Sequence, residues 1–152
     1  MSLREIFNGA MKDALKFGDK TRLSTVRLIN AAVKDRDIEA RGAGKVKATE
    51  DEIVSLLQKM IKQRHESAAL YEKGGRPELA AQEMAEIGVI SSFLPQQLDE
   101  SEVAAAIREA IAATGAASLK DMGKVMAALR ERHAGRMDFS KVGPAVKAAL
   151  SG

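Results

Sequence analysis

Six cations stand close together in the last third of the chain: Lys120, Lys124, Arg130, Arg132, Arg136 and Lys141. Against the basic residues after Gly115, only Asp121, Glu131 and Asp138 carry negative charge. Lysine and arginine in such numbers suit phosphate oxygens, and contacts of that kind hold a nucleic acid without reading its sequence. Gly123 lies between the two lysines, where its bare backbone admits a phosphate or another chain at close range. Lysines beside a helix N-terminus add to the positive end of its dipole and favour an anion. Part of the pattern is ordinary helix chemistry, because arginines in a last turn offset the dipole and Gly135 is a natural C-terminal cap. An aromatic platform for stacking bases is missing, since Phe139 fits the core.

Other chemistry finds little to work with. The chain has no cysteine, which removes disulfides, thiolate metal sites and a cysteine nucleophile together. It has no phosphate loop of the GxxxxGK type. His65 and Ser67 are two residues apart in a helical segment and project in different directions. Glu83 and Glu86 are one turn apart, yet no histidine lies three residues after either, so the Glu-x-x-His pattern of di-iron bundles is not formed. Arg64 shares a stripe with Met60, Ile61 and Tyr71 and is expected to pair with Glu83 or Glu86 at the edge of a core. No catalytic residue, metal site or cofactor is expected.

The elements that must position these groups are helical. Aromatics make up 3% of the chain and hydrophobic residues 45%, so a core has to be built from Leu, Ile, Val, Met and Ala, a mixture that favours helices. Leu3, Ile6, Phe7, Ala10, Met11, Ala14 and Leu15 share one face of a first helix that ends near Gly18. A second carries Leu23, Val26, Ile29 and Val33; its polar continuation KDRDIEARGAGK predicts a fraying end and a mobile loop. Thr49 with Glu52 forms a capping-box pattern for a third helix, stopped at Gly74 and Gly75. Pro77 opens a fourth, whose apolar positions Met84, Ile87, Ile90, Phe93 and Leu94 lead to Pro95.

Pro95 disfavours helix at Leu94, and Asp99 with Glu102 marks a new start. The predicted organisation is therefore all-α, with a bundle of about four helices over residues 1–95 and a small three-helix tail over 96–152. Ser118 and Asp138 are the expected caps of the last two helices, and Met122, Val125, Met126 and Leu129 the inward face of the middle one. Net charge follows the same division. Residues 1–100 balance 16 basic against 16 acidic groups, whereas residues 101–152 hold 8 against 5 and supply the whole +3. No uncharged apolar run approaches the roughly 18 residues needed to span a bilayer, and the start lacks the build of a signal peptide. A cytoplasmic protein without a membrane partner is expected.

Three separated stretches, MSLREIFNGAMKDALKFGDKTRLSTVRLINAAVK, KMIKQRHESAALYEKGGRPELAAQEMAEIGVISSFLPQQL and TGAASLKDMGKVMAALRERHAGRMD, occur in order, and together the chain resembles the YqeY family of small, cytoplasmic, bacterial proteins. The resemblance implies a helical N-terminal bundle followed by a domain similar to the tail of the GatB subunit of tRNA-dependent amidotransferase. In that enzyme the tail helps hold transfer RNA, and the chemistry lies elsewhere. The chain departs mildly from the pattern at GRMDFSK, with Met137 where a small residue is expected. The implied role is a non-catalytic accessory that binds transfer RNA, or a tRNA-dependent amidation or aminoacylation complex, through the basic tail. Two alternatives stand beside it: a relative of the glutamine-dependent carbon-nitrogen ligases, and a protein-interaction module.

Overall fold

The structure is a computed structural model that describes residues 1–151, apart from the side chain of Ser140. Gly152, the last residue of the expected tail, lies outside the described residues. Among those described the fold is all-α: seven α-helices, one 3-10 turn and no strand. The chain separates into two compact units, Met1–Leu94 and Pro95–Gly152.

In the first unit, helix α1 (Leu3–Phe17) begins where the Ser2 hydroxyl accepts from the Glu5 N–H and ends on Gly18, whose φ of 72° suits glycine. Helix α2 (Lys20–Gly42) is capped by Asp19, and α3 (Glu50–Lys73) by the reciprocal Thr49 and Glu52 bonds. Helix α4 (Pro77–Ser91) has Pro77 in its first turn, where the missing N–H leaves no bond unmade. The core joins Phe7, Val26, Ile29, Ile53, Leu57 and Ile90, all fully buried. Phe7 and Phe93 meet edge to face with centroids 5.1 Å apart, an arrangement that adds to burial through the ring quadrupoles.

Of the stretch expected to fray, residues 34–42 are regular helix, and the connection to the next helix begins at Ala43. Helix α2 runs through KDRDIEARG because Asp37 is held from two directions: Arg4 of α1 donates both Nη atoms to its carboxylate, at 2.6 and 2.8 Å, and the Ala48 N–H donates at 2.8 Å. The same guanidinium donates to the Ala48 carbonyl, so the connection into α3 is closed down onto α1 and α2. Leu15 and Met84, expected inside, are 65% and 48% exposed. Helix α1 packs chiefly on α2, so the far edge of its stripe has no cover. Arg64 pairs with Glu86 rather than Glu83, at 3.9 Å, and also donates to the Met60 carbonyl. Burial raises the Glu86 carboxyl above its usual range, against the pull of Arg64 and with a smaller push from Glu83.

Candidate nucleic-acid interface

In the second unit, α5 (Glu100–Thr114) opens on the Asp99 and Glu102 capping box and closes on Gly115, at φ 67°. A 3-10 turn (Leu119–Asp121) leads into α6 (Met122–Arg132), and α7 (Phe139–Ser151) completes the unit with Pro144 inside it. Ser118 is the N-cap of the 3-10 turn, as expected, and Asp121 is its capping-box partner, whose carboxylate accepts from the N–H groups of Ala117 and Ser118. Those bonds, the Ala117 N–H first, hold its carboxyl below the usual range, with Lys124 adding a smaller pull.

The expected inward face is present, with Val125, Met126 and Leu129 of α6 packed against Ala106, Ile107 and Ala110 of α5 and Val142 and Val146 of α7. Met137, between helices and outside any periodic stripe, is 2% exposed and belongs to the same core. Helix α6 packs on both α5 and α7.

The six cations do not form one patch. Lys120 lies in the 3-10 turn and Lys124 in the first turn of α6, both exposed. Arg132 is exposed at the other end, roughly 12 Å of helical rise beyond Lys124. Arg130 stacks its guanidinium over the Phe139 ring, 5.6 Å from the centroid, which couples the end of α6 to the start of α7. Arg136 is half-buried and engaged within the unit: its Nε donates to the Gln96 carbonyl at 2.9 Å, and its own carbonyl accepts from the Leu98 N–H at 2.9 Å. Gln97 adds a bond from Nε2 to the Gly135 carbonyl at 2.6 Å. Residues 96–98 are thus clasped to residues 135–136. Lys141 is exposed in the first turn of α7.

Lys141 and Arg136 also line a groove of about 660 Å³ between α5 and α7, together with Arg108, which the sequence pattern had not singled out. The signal for Arg108 was available: it follows Ala104 by one turn on the polar side of α5, beside the buried Ile107. Glu100 and Asp138 are the acidic groups of the lining.

Gly123 is open. A Cβ built there meets nothing within 4 Å, so no second backbone uses the gap that glycine leaves. Gly123→Ala is therefore expected to raise the stability of the C-terminal unit by about 0.5–1 kcal/mol through helix propensity, read from thermal or urea denaturation. A loss of stability would mean that the glycine serves the fold.

His65 is exposed and Ser67 half-buried on α3, and no cluster of three or more His, Asp or Glu suited to a metal exists among the described residues. None of the described helices is long and apolar enough to cross a membrane.

A family match covers nearly the full length of the chain, and one relative matches part of it. The chain is 28% identical over 96 residues to "Altered inheritance of mitochondria protein 41, mitochondrial" from Vanderwaltozyma polyspora, a match covering 59% of this chain and 50% of that relative. Residues 4–150 match the family of the Yqey-like protein, and the chain belongs to that family.

Proposed function

We propose that the unit from Pro95 onward is a non-catalytic RNA-binding module, with transfer RNA or the transfer-RNA amidation machinery as its target, and that Lys120, Lys124, Arg132 and Lys141 supply its phosphate contacts. Arg130 and Arg136 border this surface, one stacked on Phe139 and the other tied to Gln96. The reading is supported above all by how the unit's charges are employed. The ion pairs among the described residues lie in the first unit, from Arg4–Asp37 to Arg64–Glu86. In the second unit, Asp99, Glu102 and Asp121 are turned onto backbone N–H groups as helix caps, while Lys120, Lys124, Arg132 and Lys141 form no ion pair among the described residues. Carboxylates tied up in caps leave the surrounding cations to an external anion.

Filter binding of bulk transfer RNA at two salt concentrations tests this. Affinity is expected to fall steeply with salt. The Lys120→Ala, Lys124→Ala, Arg132→Ala and Lys141→Ala variant should bind more weakly, with a salt slope lowered by about one for each phosphate that no longer has its cation. Unchanged affinity and slope in that variant would remove the proposal. Release of glutamate from glutamine, with ATP and a mischarged transfer RNA present, would instead make the chain an enzyme.

A further inference from the structure

The groove between α5 and α7 has a build that the phosphate contacts do not require. Its floor is hydrocarbon, from Leu98, Val103, Ile107, Met137 and Val142, and the exposed side of its walls is made of alanines, Ala104, Ala145 and Ala149. No aromatic ring lines it among the described residues, so it offers a nucleic-acid base nothing to stack on. Small wall residues over an apolar floor instead let a helix approach to the 8–10 Å axial separation of ordinary helix packing. The lining of α7 extends from Lys141 to Ala149, on the order of 12 Å, or about two turns of an incoming helix.

The charges select the occupant. Arg108 and Lys141 make no ion pair among the described residues, and Arg136 adds a third positive group. The two carboxylates of the lining stand at helix starts: Glu100 is in the first turn of α5, and Asp138 immediately precedes α7. There the helix dipoles offset their charge, while Lys141 near the same end of α7 adds to the positive field. An apolar trough with an uncompensated cation on each wall complements a helix that has an apolar stripe flanked by carboxylates.

We propose that this groove docks an acidic amphipathic helix of a partner protein, with its apolar residues at i, i+3, i+4 and i+7 on the floor and its glutamates or aspartates against Arg108 and Lys141. The groove is distinct from the exposed cations of α6, and Lys141 is the one side chain that it shares with the proposed phosphate contacts.

The probe is a fluorescein-labelled, stapled helical peptide with leucines at that spacing and glutamate flanks, titrated against the full chain by anisotropy beside a twin with lysine flanks. The glutamate peptide is expected to bind about tenfold or more tightly than its twin, a difference of about 1.4 kcal/mol. Ala145→Arg, at an exposed position where folding is not at stake, should abolish binding. Arg108→Glu with Lys141→Glu should reverse the preference between the peptides. Equal affinity for both peptides, or indifference to Ala145→Arg, overturns the proposal. So does a wild-type dimer that Ala145→Arg converts to monomer in sedimentation, which would make a second copy the occupant. If Arg108→Glu and Ala145→Arg weaken bulk transfer RNA as much as the α6 lysine substitutions do, the groove belongs to the RNA surface and the proposal fails. Loss of peptide binding with RNA binding intact separates this surface from the phosphate contacts.

Discussion

Replacing Asp37 with alanine is expected to destabilise the N-terminal unit by about 2–3 kcal/mol, read from urea denaturation of the full chain. The carboxylate accepts two bonds from Arg4 and one from the Ala48 N–H, and its side chain is 14% exposed. Removing it leaves a partly buried guanidinium and a backbone N–H without their acceptor, and the cost of those unsatisfied donors exceeds the net worth of the pair. Arg4 at 27% exposure recovers some hydration, which keeps the effect below that of a fully buried pair. Arg4→Ala should cost less, and the double variant less than the sum, because the two side chains share one set of bonds. Additive losses would show that Asp37 acts through Ala48 alone.

Acid should expose the same bond. The Arg4 guanidinium, chiefly by hydrogen bonding, holds the Asp37 carboxyl far below the ordinary carboxylate range, with help from the Ala48 N–H. A depressed carboxyl contributes its stability fully above its unfolded value, near 4, and loses it as pH falls toward the folded value. The wild type should therefore weaken below about pH 4 by more than Asp37→Asn does. Parallel acid limbs in the two proteins would count against this assignment.

Leu129→Ala is expected to have the other large effect, confined to the C-terminal unit. Leu129 is fully buried among Val125, Met126 and the α5 alanines, and removing its isobutyl group costs about 3 kcal/mol in transfer and cavity terms. A unit as short as Pro95–Gly152 holds on the order of 3–8 kcal/mol in all, so much of its stability is at stake. Hydrogen exchange read by mass spectrometry should show α5, α6 and α7 opening while the peptides of α1 to α4 stay protected, since the two cores share no residue. Leu129→Met, close to volume-conserving, should cost less than about 1.5 kcal/mol. Uniform deprotection of all seven helices would mean that the units unfold together.

Much of this fold could be read locally. Thr49 with Glu52 and Asp99 with Glu102 announce helix starts within four residues, and each pair forms both of its bonds. Gly18 and Gly115 announce ends for an equally local reason, a left-handed backbone. What the sequence hid depends on distant partners. The KDRDIEARG stretch is mostly polar, and nothing within it reveals that Arg4, 33 residues before Asp37, holds it as an ordered helix. Met137 shows no period because it enters the core from a connection. Leu15 and Met84 sit on apolar stripes wider than their neighbours cover, a property of packing rather than of pattern. In the second unit, the individual cations and the inward face of α6 were legible, while the groove was not. Its shape depends on residues 96–98 meeting residues 135–136, a pairing that no spacing encodes.

That clasp also sets an order of events during synthesis. Leu98 leaves the ribosome well before Arg136, so the strap that defines one end of the groove stays open until α5, α6 and the following turn have been made. The first unit waits for nothing beyond Leu94, because every residue of its core precedes Pro95. A nascent chain can finish its N-terminal bundle while the C-terminal unit is still unmade, as sequential domain folding requires. The apolar floor of the groove is then the last apolar surface of the two units to be completed, and it closes into shape only when α7 arrives.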